Sequence, residues 1–157
     1  MTPDTESAAA ISTKPTNPKD AVGILKAPIS TVPTAVMFEV GVAMLEGARK
    51  YGRHNYRVMG VRAGVYVDAA ARHLGAWWEG EDIDPDSGLS HIVKAISSLV
   101  VLRDAMLNAK LTDDRPPPLP RGWMDDLNRR VAIINAKHPH PPAPFTAETN
   151  NAIQNKD

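Results

Sequence analysis

Asp68, Arg72, His73, Glu79, Glu81, Asp82, Asp84 and His91 crowd into one stretch, YVDAAARHLGAWWEGEDIDPDSGLSH, residues 66–91. No other part of the chain gathers as many side chains able to bind a cation or move a proton. Glu79, Glu81, Asp82, Asp84 and Asp86 repel one another unless a cation, Lys or Arg neutralises them. The D-x-D-x-D spacing fails as an EF-hand because its glycine is misplaced. A few carboxylates plus water and phosphate oxygens suit Mg²⁺ or Mn²⁺ instead; an acidic, solvated surface turn is the plainer reading of the same residues. His91 reads equally as a site residue and as a helix-surface histidine, and His73 as a half-buried, hydrogen-bonded one.

Two helices must hold this loop. The first is expected over 61–79, where Val65, Ala69, Leu74 and Trp77 recur at helical spacing with Ala70 and His73 alongside. Asp68 and Arg72 are i,i+4 neighbours able to pair. Trp77 and Trp78 are adjacent and cannot share a face, so one is expected in the core and the other at a pocket or subunit contact. The second helix is expected over 87–109, capped by Ser87, with an apolar stripe running from Leu89 through Ile96 and Leu99 to Leu107. A third, over 34–50, follows Pro33 and stops at Gly52. It carries Val36, Met37, Val40, Met44 and Ala48 on one side, and places Glu39 and Glu46 on one stripe, two turns apart. Glu46 and Lys50 fit a surface ion pair.

Two further segments offer cations. The stretch 50–60, KYGRHNYRVMG, interleaves Lys50, Arg53, His54 and Arg57 with Tyr51, Asn55 and Tyr56. Read as a loop, it either holds a nucleotide, cations on phosphate and a ring on the base, or merely connects two helices. Residues 17–33 carry Pro18, Gly23, Pro28 and Pro33, which argue against regular structure. An extended arm there aims Lys19 and Lys26 at a phosphate or leaves them solvated.

The remaining composition sets bounds. With 157 residues the chain can hold one domain with a core. The absence of cysteine removes disulfides, thiolate metal sites and cysteine nucleophiles. Net charge is zero, so no nucleic-acid polymer is expected as a partner. No apolar run approaches the roughly 18 residues of a membrane span, and the N-terminus lacks the pattern of a secretory signal. The expected class is all-α: a compact bundle of about four helices with an extended N-terminal arm and Pro-rich disordered tails, cytoplasmic. The expected layout is a tail over 1–16, a helical domain over 17–110, a Pro-rich linker over 111–121, a helix over 122–136 and a tail over 137–157. A bundle this small often buries its exposed stripe by self-association, so a homo-oligomer is expected.

The strings NPKDAVG, EGARKYG with HNYR, and DAAARHLGAWWEGEDIDPDSGLSHIVKA together resemble a phage and prophage family related to the dATP/dGTP diphosphohydrolase N-terminal domain, described as MazG-like nucleotide pyrophosphohydrolases. The resemblance covers residues 17–107. It implies an all-α hydrolase in which carboxylates hold Mg²⁺ and a water attacks the triphosphate, releasing nucleoside monophosphate and pyrophosphate. Glu79 and Asp82 match the family's E-x-x-D, although Gly80 lies inside it. The E-x-x-E has no counterpart here, and Glu39 and Glu46 stand seven apart instead. The metal set implied is Glu39, Glu46, Glu79 and Asp82, with Asp68 or His91 as substitutes. Glu79, Asp82 and His91 are the catalytic candidates. Lys19, Lys26, Lys50, Arg53, His54, Asn55 and Arg72 are the candidates for holding substrate, with Tyr51, Tyr56 or Trp78 to stack the base. A protein that binds a nucleotide without turning it over is the alternative. A histidine–aspartate phosphohydrolase using His73, His91 and Asp104 is a third, weakened by the lack of an adjacent His-Asp pair.

Overall fold

The computed structural model describes residues 17–149; the expected tail over 1–16 and the end of the C-terminal one lie outside them. Internal contacts divide the chain between Arg115 and Pro116.

The first part opens with helix α1, Pro18–Gly23, where the density of prolines and glycines predicts irregular chain. Pro18 sits at the first helical position, where its missing N–H costs nothing, and the Asn17 side chain accepts from the Lys19 backbone N–H at 3.1 Å. Helix α2, Thr34–Tyr51, begins directly after Pro33 and ends at Gly52, whose φ of 93° stops it. The following segment is not simply a connector: Asn55–Met59 form a short helix, α3, entered through His54 in the left-handed region.

Val61–Arg62, expected to start the next helix, instead form strand β1. It pairs in parallel with β2, Leu111–Thr112, within the stretch read as a linker, in the register Val61↔Leu111 and Arg62↔Thr112. Gly60 makes this pairing possible. Its φ is 78°, and a Cβ there would stand 2.8 Å from the Lys110 carbonyl oxygen, which accepts from the Val61 N–H.

Helix α4, Ala63–Trp78, and helix α5, His91–Leu107, flank the acidic loop. α4 ends in a Schellman motif: the Gly80 N–H donates to Trp77 and the Glu81 N–H to Ala76, with Gly80 left-handed. The loop is a closed hairpin rather than a mobile turn. Ile83 and Ser90 form an antiparallel bridge, the Asp84 N–H donates to Leu89, and the His91 N–H donates to Asp82. α5 therefore starts at His91 after Ser90, not at Ser87. The Ser87 hydroxyl donates to the Asp84 carboxylate at 2.5 Å instead of capping the helix.

α5 is the central element, packed along α4 and crossed by α2, with α3 also against it. Val61, Val101 and Ala105 form the core cluster, with Met44, Tyr56, Tyr66 and Leu111 against it. Ala43, Ala63, Ala70 and Ala95 are also buried, and their size lets helix backbones approach. The packed side of α4 is Ala63, Tyr66, Ala70 and His73. Val65, Leu74, Trp77 and Trp78 are exposed, so neither tryptophan is buried in the core. Among the described residues no Asp68–Arg72 ion pair forms. No described helix is long and apolar enough to cross a membrane. The second part contains helix α6, Trp123–Lys137; Trp123, Leu127, Val131 and Ile134 follow one stripe along it. Asp125 and Asp126 lie in its first turn and Lys137 in its last, both favourable to the helix dipole.

Candidate functional site

A cavity of about 440 Å³ lies between α2, α3, α4 and α5. α2 supplies Glu46, Lys50 and Tyr51. The turn into α3 supplies Arg53, His54, Asn55 and Tyr56. α4 supplies Tyr66 and His73, and α5 supplies Lys94, Ser97 and Ser98. The spacing of α2 explains its share, because Gly47, Glu46 and Lys50 follow the turns that Ala43 presses toward α5.

Charge is arranged as a lattice. Glu46 accepts from Lys50 Nζ at 2.6 Å on one oxygen and from Lys94 Nζ on the other. These two ammonium groups, Lys50 first, hold the Glu46 carboxyl below its ordinary value against the opposing effect of burial. Lys94 Nζ also stands 3.8 Å from Asp84, and Lys50 Nζ 3.4 Å from Asp86. The two lysines thus tie α2 to the acidic hairpin. Asp84 is itself held low, chiefly by the Ser87 hydroxyl. Arg53 adds positive charge at the wall, with the His54 ring beside it.

Behind the lattice, His73 Nδ1 and His91 Nδ1 are 2.8 Å apart. His91 is only 4 % exposed, and its Nε2 lies 3.3 Å from Glu81 Oε2 without an aligned hydrogen bond. Burial lowers the His73 pKa, and the neighbouring His91 lowers it further. Burial also raises that of Tyr66.

The cavity gathers Glu46, Lys50, Tyr51, Arg53, His54, Asn55 and Tyr56 from the sequence-derived candidates, and His73 from the histidine–aspartate alternative. His91 is buried behind it. Glu39, Asp68, Arg72, Trp78, Glu79 and Asp82 are exposed outside its lining, and Lys19 and Lys26 lie on or just after α1, also exposed. Asp104, the third member of the histidine–aspartate alternative, makes a two-pronged pair with Arg57 at 2.8 and 2.6 Å. Lys94 is not among the sequence-derived candidates; His73 is one only in the histidine–aspartate alternative, and Asp84 only as one of the crowded carboxylates. A signal existed for the histidines: His73 and His91 are equally far from Asp82, and a closed hairpin between antiparallel helices brings such positions together. No comparable signal marks Lys94, whose partner Glu46 comes from a different helix.

The metal implied by the family resemblance can be tested against these residues. Both oxygens of Glu46 already face ammonium groups. Glu39, Asp68, Glu79 and Asp82 are dispersed over α2, α4 and the hairpin, and no group of three His, Asp or Glu among the described residues stands close enough to share an ion. A single chain in this arrangement does not fit a multi-carboxylate metal centre.

Fold and site together define a helical protein with a cation-lined, aromatic-walled cavity of about 440 Å³. The family described as dATP/dGTP diphosphohydrolase, N-terminal, matches residues 16–115, and the chain belongs to it. A protein of Salmonella phage PMBT28 named dATP/dGTP diphosphohydrolase is 32% identical over 90 residues, covering 57% of this chain and 30% of that protein. The chain therefore spans under a third of the length of the curated relative it matches. No solved structure matches it.

Proposed function

We propose that this chain binds a (deoxy)nucleoside triphosphate in the cavity between α2, α3, α4 and α5 and hydrolyses it to the nucleoside monophosphate and pyrophosphate. The observation that carries this reading is the convergence of Lys50, Arg53, His54 and Lys94 on one cavity also walled by Tyr51, Tyr56 and Tyr66. Its volume lies in the ordinary range for small-molecule sites. Ammonium and guanidinium groups suit phosphate oxygens and phenol rings suit a base. The name of the phage relative, with its dATP and dGTP, points to a purine deoxynucleotide. Magnesium enters this reading as the counter-ion of the triphosphate, its ligands mostly phosphate oxygens and water. On binding, Lys50 and Lys94 turn from Glu46 toward the phosphates.

The test is incubation with a panel of nucleoside triphosphates and Mg²⁺ or Mn²⁺, with products followed by ³¹P NMR. Pyrophosphate and monophosphate, abolished by EDTA, support the reading. Inorganic phosphate as the primary product overturns the bond assignment. Nucleotide recovered unchanged from a tight complex supports a second reading, a binding or sequestering protein. That reading is favoured by the absence of a metal cluster among the described residues of one chain.

Self-association belongs to the same proposal. Phe38, Val42 and Leu45 on α2 and Val65 and Trp78 on α4 are exposed, and a second copy of the chain is the partner that would cover them.

A further inference from the structure

We propose that Glu81, His91 and His73 form a chain that fixes His73 as a general base facing the cavity. This rests on the proposed hydrolysis and deepens it.

His91 is the middle member. Its ring is buried, and its two nitrogens meet different neighbours: Nδ1 faces His73 Nδ1 at 2.8 Å, and Nε2 faces Glu81 Oε2 at 3.3 Å. A bare Nε2 would set a buried lone pair against a carboxylate, an uncompensated repulsion. With the proton on Nε2 the same contact becomes attractive, and a small rotation of the half-exposed Glu81 side chain aligns it. Neutral His91 then has Nδ1 as its acceptor. The 2.8 Å contact requires one donor, so His73 donates from Nδ1–H. Its Nε2 is thereby left with a free lone pair, and His73 is the member on the cavity wall. The carboxylate therefore sets the tautomer of the second histidine through the first, as outer partners do for ligating and catalytic histidines.

The backbone supports each link. The Schellman turn at Gly80 fixes Glu81, and the donation of His91 N–H to Asp82 fixes the start of α5. Besides the His91 ring, the charged groups acting on His73 are Asp84 from the hairpin, Lys94 from α5 and Arg72 from its own helix. Burial and the two cations favour the neutral ring, the form a base needs, and Asp84 opposes them. In the reaction, a water O–H proton passes to His73 Nε2. The water oxygen bonds to the α-phosphorus, and the bond from that phosphorus to the bridging oxygen breaks, so pyrophosphate leaves with the electron pair. His73 is the catalytic residue; His91 and Glu81 are positioning residues.

The first measurement needs no turnover: two-bond ¹H–¹⁵N NMR of the histidine-labelled full chain at neutral pH, assigned with His73→Gln and His91→Gln. The expected result is Nδ1–H at His73 and Nε2–H at His91, with Glu81→Ala mixing the tautomers. The reverse pair, Nε2–H at His73 and Nδ1–H at His91, overturns the chain. The second is steady-state kinetics against pH. His73→Gln should lower kcat about 100-fold or more, the usual worth of a general base, with KM nearly unchanged and the acid limb of the profile lost. Glu81→Ala should lower kcat less and move that limb. Unchanged kcat in His73→Gln overturns the base assignment. A wild-type protein that turns over no nucleotide overturns the proposed hydrolysis and the base role with it, while the spectra still decide the tautomer chain on their own.

Discussion

Glu46 shows how a residue's partners decide its use. At the level of sequence it pairs with Lys50 one turn away, and that pair is present at 2.6 Å. Its second partner is Lys94, forty-eight positions on, on α5 and with its side chain only 17 % exposed. Lys94→Met is expected to weaken triphosphate binding about 10- to 100-fold, the loss of one charge-assisted hydrogen bond of about 1.5–3 kcal/mol. Isothermal titration with a non-hydrolysable analogue measures it. Wild-type affinity in that variant would remove Lys94 from the phosphate site. His73 supplies a second expectation. Its folded pKa is lowered below 6.5 by burial and by His91. The unfolded chain therefore takes up this proton first as pH falls. The stability contributed is complete above pH 6.5 and is lost as pH drops through the lowered folded value. The thermal midpoint should fall from pH 7 to pH 5, and His73→Gln should flatten that fall. An equally steep fall in the variant would assign it to other groups. Glu46 and Asp84 follow the same sign at lower pH. Their stabilisation is present above their ordinary values of 4.5 and 3.8 and is lost as pH falls below them. Of these residues the local Glu46–Lys50 pair and the half-buried, hydrogen-bonded state of His73 were legible in the sequence. Position 94 on an apolar helix gives no sign that it faces a carboxylate from another element.

At the scale of elements, periodicity located α2, α4, α5 and α6, missed the short α1 and α3, and misassigned some flanks. The stripe Val65, Ala69, Leu74 and Trp77, with Ala70 and His73 alongside, predicts the buried side of α4. Ala70 and His73 are on it, joined by Ala63 and Tyr66, while Val65, Leu74 and Trp77 are exposed, because α5 packs close where side chains are small. Alanine carries little signal in a hydrophobic pattern, which is why the inner side was hard to read. Strands β1 and β2 are two residues each, too short for any alternation to show. What fixes them is Gly60. Gly60→Ala forces a Cβ to 2.8 Å from the Lys110 oxygen at a φ of 78°. A cost of about 1–3 kcal/mol follows, read as a lower thermal midpoint in circular dichroism. A variant as stable as the parent would mean that the β1–β2 pairing yields without cost. Asp114 clamps the same corner by accepting from the Gly64 N–H at 2.7 Å, at the start of α4. Asp114→Ala is expected to cost about 1 kcal/mol, the usual worth of a lost helix cap.

At the scale of the whole molecule, the interior of the first part is built from small residues, and among the described residues none of the large side chains is fully buried. Phe38 is 73 % exposed and Trp78 78 %. Apolar surface contributes about 25 cal/mol per Å² when removed from water, and large contiguous apolar patches on a soluble chain generally mark a contact. A second copy covering α2 and α4 would bury these side chains and add stability that a lone chain lacks. Stability should then depend on concentration, because association stabilises only the folded state. The thermal midpoint is expected to rise with protein concentration, and light scattering after size exclusion should give a mass above the 17.0 kDa of one chain. Phe38→Glu with Trp78→Glu, both outside the cavity lining, should return the mass to that of one chain and remove the concentration dependence. A monomeric parent with a concentration-independent midpoint would mean that these faces are covered by something other than a second copy, and the proposed self-association would fall.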